Sequence, residues 1–185
     1  MVDFQSRDTR RDSESASAGE EPSDDGSAPL GFAVVTVGSG RTVDRDSAGD
    51  AAVEAATEAG EVMTREVIES RYDGVQSTVG ALVDRSDVDV LVTVGGTGVA
   101  PDDITIDAVE PLLDKHLPGV GELIRRECAE ERGSAAVRTR ATGGILDGVP
   151  VFCLPGDPSL ARRAARAVVI PEAEPLVGMA VPTED

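Results

Sequence analysis

Several short runs of mostly apolar residues stand out in the sequence, at residues 32–37, 89–94 and 149–154. Their apolar side chains follow one another without the apolar–polar alternation of a strand that has one face in water. Such runs are typical of strands that are buried on both faces of a parallel sheet. Residues 61–68 predict a further strand, and residues 136–141 predict a shorter one.

Between these runs the apolar residues recur at helical spacing. The alanine-rich segment from Ser47 to Ala59 predicts a helix that ends at Gly60, because glycine is favoured at helix C-termini. Pro111 interrupts the helical pattern of residues 105–117 and predicts a kink or two short segments there. Further helices are predicted at residues 73–84, 119–132 and 158–169.

Strands that alternate with helices predict an α/β fold, a three-layer αβα sandwich in which helices cover both faces of a mostly parallel sheet. In open sheets of this kind, ligands bind beyond the carboxyl ends of the strands. Glycines follow three of the predicted strands, at Gly38, at residues 95–98 and at Gly156. The sequence therefore predicts a ligand site where these three strands end.

Residues 95–98, Gly-Gly-Thr-Gly, form the densest of these glycine segments. Glycines let backbone N–H groups approach a ligand closely, and the N-terminus of the following helix favours negative charge. Asp102 and Asp103 could bind a Mg²⁺ ion whose other ligands are phosphate oxygens. Many strand-to-helix turns contain glycines for geometric reasons alone, so the loop by itself leaves both interpretations open.

The first 31 residues differ in composition from the rest of the chain. Residues 1–31 are rich in Ser, Asp, Glu and Gly and contain few apolar side chains. Such a segment cannot bury enough surface to offset the entropy lost on ordering, so we expect a disordered acidic tail. Residues 32–185 are then expected to form one domain, which is long enough for a hydrophobic core.

The chain of 185 residues has 35 acidic and 17 basic residues, for a formal net charge of −18. This charge disfavours binding to nucleic acid and to anionic membranes. Lys115 is the only lysine, and aromatic residues make up 2% of the chain. With the acidic excess, this composition favours a salt-adapted source such as a halophilic archaeon, and an ordinary acidic cytosolic protein is the alternative.

The two cysteines, Cys128 and Cys153, have neither the spacing of a zinc site nor the pattern of a disulfide framework. Cys153 lies within an apolar run and is expected in the core. No apolar segment reaches the roughly 18 residues of a membrane span, and the N-terminus lacks the pattern of a secretory signal. We therefore expect a soluble, cytoplasmic protein.

An ordered set of motifs carries a resemblance to a known family. The set comprises TVGGTG at residues 93–98, DIT at residues 103–105, PGVGE at residues 118–122 and LPGDP at residues 154–158. In this order the motifs resemble the MoaB/Mog family of molybdenum cofactor biosynthesis proteins, which includes the molybdopterin adenylyltransferases and the homologous domain of gephyrin. The resemblance extends over residues 32–169 and implies a three-layer α/β fold.

The resemblance implies a transfer of AMP from Mg²⁺-bound ATP to the terminal phosphate of molybdopterin, with release of pyrophosphate. Molybdopterin and ATP would then be the ligands, Mg²⁺ the cofactor, and a homotrimer or homohexamer the assembly. A non-catalytic protein that binds molybdopterin in the same pathway is the alternative. The related domain of the metal-inserting molybdotransferases or of CinA-like proteins is less favoured, because those proteins carry it within longer chains.

The resemblance also assigns roles to individual residues. Asp103 matches the family's essential aspartate and would coordinate Mg²⁺ or position phosphate, although it could also cap the next helix. Glu69 falls near the family's second acidic site, where other members have Asp, and a surface charge is the alternative. The residues implied in binding substrate or nucleotide are Gly95, Gly96, Thr97, Gly98, Thr105, Glu122, Arg140, Pro155, Gly156, Ser159, Asp46 and Ser47.

Some of these assignments depend on where a residue lies in a motif or at the end of a helix. Arg140 lies in a segment that resembles the family's S-R-A motif and could bind a phosphate with two hydrogen bonds. Gly156 and Ser159 would offer donors at the N-terminus of the last helix. Residues 46–49 resemble the family's D-x-S-G motif with Ala48 in place of the serine, and Asp46 could equally be a helix cap.

Overall fold

The computed structural model describes residues 28–180 and contains one six-stranded sheet with helices on both of its faces. The α/β fold with a mostly parallel sheet is therefore confirmed. The strands are β1 Leu30–Val37, β2 Gly60–Ile68, β3 Val90–Val94, β4 Lys115–His116, β5 Thr142–Leu146 and β6 Val149–Leu154. The helices are α1 Ser47–Ala59, α2 Tyr72–Val83, α3 Thr105–Val109, α4 Pro118–Arg132, α5 Pro158–Ala164 and α6 Ile170–Ala180.

The strands lie in the order β2-β1-β3-β6-β5-β4. β1 pairs in parallel with β2 and with β3, and β3 pairs in parallel with β6. Thr36 lies opposite Val94, and Val94 lies opposite Leu154, so β1, β3 and β6 end at the same level. The segments that follow these three strands therefore meet at one edge of the sheet, as the sequence predicts.

The far side of the sheet differs from the prediction. Residues 136–141 do not form a strand, because a 3₁₀ helix spans Gly133–Arg138 and the strand β5 begins at Thr142. β5 pairs antiparallel with β6 through a two-residue turn at Asp147 and Gly148. Both turn residues have positive φ, 48° and 82°, as expected of the Asp-Gly turns that join hairpin strands. This Asp-Gly pair is the signal that the sequence reading missed.

The predicted helices are present, and two of them differ in extent from the prediction. Residues 115–116, at the end of the predicted helix 105–117, form β4 instead. The region of Pro111 divides into the short helix α3 and a 3₁₀ turn at Glu110–Leu112, one of the two outcomes expected there. The last predicted helix continues past residue 169, through a π-helical turn at Ala165–Val169 into α6. β1 begins at Leu30, within the predicted tail, and residues 1–27 of that tail lie outside the described residues.

Both faces of the sheet are buried, and each has its own hydrophobic core. Phe32, Val34 and Phe152 point to one face, where they pack with residues of α1, α4, α5 and α6. Ala33 and Val35 point to the other face, where they pack with α2 and α3. The side chains of a strand alternate between the faces, so a strand covered on both sides must be apolar at consecutive positions. Among residues 28–180, no helix has the length and apolar character needed to span a bilayer.

Asp46 joins the first two strands to the first helix. Its carboxylate accepts a 2.6 Å hydrogen bond from Thr36 Oγ1 on β1 and a 3.0 Å bond from the N–H of Gly49, so it caps α1. Arg65 of β2 lies 3.2 Å from the same carboxylate and also binds Asp50. Asp46 is 1% exposed. The helix-cap alternative for this residue is thus the arrangement that the structure has.

Burial alone would raise the pKa of Asp46, but the hydrogen bonds from Thr36 and the backbone, together with the Arg65 charge, outweigh it. The pKa therefore lies below the ordinary value of 3.8. A carboxyl whose pKa is lower in the folded state stabilises that state above the unfolded pKa. This contribution is lost as the pH falls from about 3.8 through the folded-state pKa.

We expect Asp46→Asn to lower the free energy of unfolding at pH 7 by roughly 1–3 kcal/mol, because a charge-assisted cap and an ion pair are lost. The difference from the unsubstituted protein should shrink below pH 4. Urea unfolding at several pH values and one salt concentration measures both effects. Glu61→Gln, at an exposed position of β2, is the control. An equal loss of stability at pH 7 and pH 3 would contradict the role of the Asp46 charge.

Candidate functional site

A cavity of about 460 Å³ lies at the edge where β1, β3 and β6 end. We call it the main cavity. It is lined by the ends of these strands, by the loop after β3 and by the 3₁₀ helix that precedes β5. The lining residues are Val37, Gly38, Ser39, Arg41, Ser70, Gly95, Gly96, Thr97, Gly98, Asp102, Asp103, Ala135, Arg138, Thr139, Pro155, Gly156 and Leu160.

The floor of the main cavity is formed by glycine backbone that packs closely against the backbone of neighbouring strand ends. A Cβ atom on Gly156 would lie 3.0 Å from Gly95 Cα, and one on Gly95 would lie 2.5 Å from the carbonyl oxygen of Val37. Gly95 and Gly96 also have positive φ, 93° and 65°. Glycine is required here for two separate reasons, conformation and space. The peptide groups of the floor are consequently not screened by side chains.

Thr105 lies behind the glycine loop, outside the lining of the main cavity. It is fully buried; its Oγ1 donates a 2.8 Å hydrogen bond to Gly95 O, and its N–H donates a 3.0 Å bond to Gly96 O. The structure therefore places Thr105 behind the loop and not in the main cavity. Its hydroxyl is already used to fix the conformation of the loop, so the residue acts through the loop.

Arg140 holds the same loop from the outside. Its Nε donates to Gly98 O at 2.7 Å, its Nη2 donates to Asp103 O, and its backbone N–H donates to Thr97 O at 2.7 Å. The carboxylate that meets its guanidinium with two bonds is Asp107, at 2.9 and 3.0 Å. The structure therefore does not bring Arg140 into the main cavity, and its guanidinium donates to protein groups. That Arg140 binds phosphate stays a prediction.

Asp103 reaches the main cavity from the turn after the glycine loop. Its Oδ2 accepts a 2.8 Å hydrogen bond from the N–H of Ala100, and its side chain packs against Gly98. Asp102 lines the cavity too, and its carbonyl accepts a hydrogen bond from the hydroxyl of Ser70. Asp103 does not cap α3, since the residue before that helix is Ile104 and makes no side-chain cap.

Two arginines that the sequence reading missed also line the main cavity. Arg41 follows β1, and its Nη1 lies 3.6 Å from the buried Asp46 carboxylate. Arg138 ends the 3₁₀ helix before β5; within residues 28–180 its hydrogen bond is a long one, 3.5 Å to Ala135 O in the same turn. The available signal was their position next to glycine-bearing segments in an otherwise acidic chain. They supply positive charge where the loop offers backbone donors.

The N-terminus of α5 is occupied by the protein itself. Asp157 caps this helix by accepting hydrogen bonds from the N–H groups of Ser159 and Leu160, at 3.0 and 3.2 Å. The Ser159 hydroxyl donates to Glu131 at 2.8 Å, and the residue is exposed outside the cavity lining. Ser159 is therefore not brought into the main cavity, and its binding of nucleotide stays a prediction. Pro155 and Gly156, just before this helix, do line the main cavity.

Three other predicted binding residues lie away from the main cavity. Ser47 is exposed at the start of α1, and Glu122 is exposed in the first part of α4. Asp46 is buried beneath the site, where it contacts Arg41 but does not line the cavity itself. The structure thus leaves these three residues outside the main cavity, with Ser47 and Glu122 exposed and the Asp46 carboxylate used as a helix cap. Their roles in binding stay predictions.

The residues present fit a divalent cation that is shared with a ligand. Within residues 28–180 no three side chains of His, Cys, Asp or Glu are grouped so as to hold a metal ion. Asp102 and Asp103 supply carboxylates at the cavity, and Mg²⁺ commonly takes one or two carboxylates and completes its shell with waters and substrate phosphates. The donor set suits such an ion and would not suit a structural zinc site.

The sequence was compared with known protein families. A family model described as "Probable molybdopterin binding domain" matches residues 33–175. The chain belongs to this family. Molybdenum cofactor biosynthesis protein B of Bacillus cereus is 38% identical over 141 residues, which cover 75% of this chain and 83% of that protein. The resemblance to the MoaB/Mog family is thereby confirmed.

Solved structures agree with this placement in the MoaB/Mog family. A crystal structure of Molybdenum cofactor biosynthesis protein B superposes with a TM-score of 0.78 at 35% identity, over 82% of this chain and 96% of that one. The crystal structure of the "tungsten cofactor synthesizing protein MoaB" from Pyrococcus furiosus gives a TM-score of 0.74 at 32% identity. That match covers 82% of this chain and 97% of the Pyrococcus chain.

The resemblance to the MoaB/Mog family predicts a second acidic site in the segment that follows β2. Glu69, predicted to supply a second catalytic carboxylate, is exposed and does not line the main cavity. Ser70 lines it instead. The structure does not bring Glu69 to the main cavity, because the chain leaves β2 in a direction that presents the next residue there. A catalytic role for Glu69 stays a prediction. A hydroxyl thus stands at the cavity position that follows β2.

Ala48 stands where the family's D-x-S-G motif has a serine. Ala48 is fully buried in the core beneath α1, with Phe32 and Val92 in the same cluster. It does not line the main cavity. A serine hydroxyl at this position would face the hydrophobic core, so its absence removes no donor from the site.

We expect Gly96→Ala to lower the free energy of unfolding by roughly 1–3 kcal/mol, because its positive φ is strained for alanine and the methyl group would overlap Thr105 Oγ1. Denaturant unfolding measures the loss. Gly119→Ala in α4, whose methyl group meets no atom of the described residues within 4 Å, should be neutral or slightly stabilising. Equal effects of the two substitutions would show that the loop conformation is not required.

Proposed function

We propose that this protein transfers AMP from ATP to the terminal phosphate of molybdopterin and releases pyrophosphate. The observation that supports it most directly is the main cavity, where an unscreened glycine floor, two arginines and Asp103 face the same space. Backbone N–H groups and guanidinium groups bind phosphate well. A reaction between two phosphorylated compounds requires such groups, because the charges of both must be offset.

In this reaction an oxygen of the molybdopterin phosphate attacks the α-phosphorus of ATP. A new P–O bond forms, the bond from the α-phosphorus to the bridging oxygen of the β-phosphate breaks, and pyrophosphate leaves with that electron pair. Little proton transfer is needed at neutral pH, which suits a cavity without a histidine or cysteine in its lining. The work of the chain is to position the two phosphates and to offset their charge.

The residues of the floor, the walls and the Asp102–Asp103 turn have different roles in this positioning. Gly96 and Gly98 offer backbone donors at the floor, while Arg41 and Arg138 supply positive charge from the walls. The Gly95 N–H already donates to Leu154 O at 3.0 Å. Asp103, with Asp102 beside it, would hold a Mg²⁺ ion. When bound, that ion supplies charge neutralisation to the phosphates of ATP.

We expect Asp103→Asn to reduce AMP incorporation into molybdopterin by a factor on the order of 100, because the charge that would hold Mg²⁺ is lost. Asparagine retains an oxygen that can accept the Ala100 N–H, so the loop should keep its conformation. The assay combines purified protein, molybdopterin, ATP and Mg²⁺ in high KCl and follows AMP in the product. Asp73→Asn, in the first turn of α2, is the control.

Unfolding in urea should show that Asp103→Asn is folded. Full AMP transfer by a folded Asp103→Asn protein would mean that Asp103 does not act as proposed. If the unsubstituted protein transferred no AMP over a range of salt concentrations, that result would contradict the enzymatic proposal itself.

Ser70 favours a second candidate function, a protein that binds molybdopterin without adenylylating it. The side chain after β2 that faces the main cavity is a hydroxyl, which is occupied by a hydrogen bond to Asp102 O. A carboxylate there would add a second anionic ligand for a divalent cation near Asp103. Tight binding of molybdopterin with no AMP incorporation would support this second candidate.

Ser70→Asp separates the two candidates. If the unsubstituted protein is limited by a missing carboxylate, the substitution should raise AMP incorporation at least about tenfold while the affinity for molybdopterin changes little. If the unsubstituted protein is already a competent enzyme, the added charge should give no gain. Glu61→Asp, at an exposed position of β2 outside the main cavity, is the control and should leave the rate unchanged.

Other expectations from the sequence remain predictions. They are the use of ATP and Mg²⁺, a cytoplasmic location, a salt-adapted source and assembly into a homotrimer or homohexamer.

A further inference from the structure

A second cavity adjoins the main one on the side of α4 and α5. It has a volume of about 180 Å³, and we call it the annex. Its lining residues are Cys128, Arg132, Ala135, Ala136, Arg138, Thr139, Asp157 and Leu160. Ala135, Arg138, Thr139 and Leu160 also line the main cavity, so the two cavities share one wall.

We propose that the annex binds the flat heteroaromatic ring of a ligand whose phosphates lie in the main cavity, with Arg138 contacting that ligand at the shared wall. The inference rests on the proposed function only in taking a phosphorylated ligand for the main cavity. Adenine and pterin rings have this chemistry in common, and the experiment below distinguishes them.

The size and lining of the annex suit a ring. An apolar cavity of roughly 150 Å³ accommodates a benzene ring, so the annex has room for one of the two fused rings of adenine or pterin. Three of the annex residues, Ala135, Ala136 and Leu160, offer apolar surface for the ring faces. Cys128, 1% exposed on α4, contributes a small apolar side chain, and burial raises the pKa of its thiol, so it stays uncharged near neutral pH. The main cavity, in contrast, presents glycine backbone and charged side chains that suit phosphate.

Arg138 is the charged residue of the shared wall. Its side chain is exposed and is held, within the described residues, by the 3.5 Å hydrogen bond to Ala135 O. Nearby Arg132 and Arg140 are paired with Asp157 and Asp107, at 2.8 and 2.9 Å. A phosphate in the main cavity would attract the Arg138 guanidinium, which can also stack on the face of a ring in the annex. Arg138 thus connects the two parts of one ligand.

Filling the annex provides the first test. Cys128→Met places a longer, flexible apolar side chain where the ring would lie, and Cys128→Ala leaves the space open. We expect Cys128→Met to weaken the binding of ATP or of a pterin phosphate about tenfold, because ring contacts are lost. The binding of inorganic triphosphate, which has no ring, should change less than about twofold, and Cys128→Ala should bind all probes normally.

The ring that enters the annex can be identified by fluorescence. The chain has no Trp and one Tyr, so its own emission is weak. Titrations with 2-aminopurine riboside triphosphate and with a pterin phosphate, at one KCl concentration, report each ring separately. The probe that uses the annex should show a spectral change that Cys128→Met abolishes and Cys128→Ala preserves.

Arg138→Ala tests the connection between the cavities. It should weaken both the ring-bearing probe and inorganic triphosphate, by a factor on the order of 10, because the guanidinium contacts phosphate. Arg138→Lys should restore part of the triphosphate affinity but not the spectral change of the ring. Arg126→Ala, exposed on α4 and absent from both lining sets, is the control.

Two results would overturn the inference. In the first, a folded Cys128→Met protein binds both ring-bearing probes as the unsubstituted protein does. In the second, it loses inorganic triphosphate to the same extent as the ring-bearing probes. Because these are binding measurements, a protein that placed a ring in the annex but transferred no AMP would contradict the proposed function alone. AMP transfer with unchanged ring binding in Cys128→Met would contradict the annex alone.

Discussion

The site depends on the close approach of three strand ends. β1, β3 and β6 end at the same level, and the backbones of Gly95, Gly156 and Val37 then lie so close that no Cβ atom fits between them. Parallel pairing brings the ends together, and glycine alone permits the approach. The result is a floor of peptide groups at the edge of the sheet, where open α/β folds bind their ligands.

This floor would be of little use if its loop could move. Thr105 fixes the loop from the buried side, and Arg140 fixes it from the other side through Gly98 O and the backbone of Thr97. Both residues were expected to touch the ligand, but the structure uses their donors to hold the loop in place. Their role is preorganisation, which reduces the reorganisation required when charge develops in a reaction.

The fold was largely predictable from the sequence, because runs of consecutive apolar residues and strand-ending glycines are local signals. The glycine loop and Asp103 were placed in the cavity region for the same reason. The sequence misplaced residues whose position in the cavity depends on the direction in which their side chains point. Exposed Glu69 and cavity-facing Ser70 are neighbours in sequence, and only the path of the chain after β2 decides between them. Arg140 was chosen by its S-R-A-like segment and Arg138 was missed, because the sequence does not show that the Arg140 guanidinium is bound to Asp107.

The charge of the chain gives these arginines a further significance. With a net charge of −18, most of the protein surface repels a phosphorylated ligand, and the repulsion is reduced where salt screens it. Several surface arginines are neutralised by carboxylates, as Arg166 is by Glu58 and Arg163 is by Glu127. Arg138 keeps its charge available at the main cavity because its nearby hydrogen-bond partner is a carbonyl group. An acidic protein can therefore bind an anion through an arginine, here Arg138, that pairs with no carboxylate of the described residues and lies beside a backbone floor.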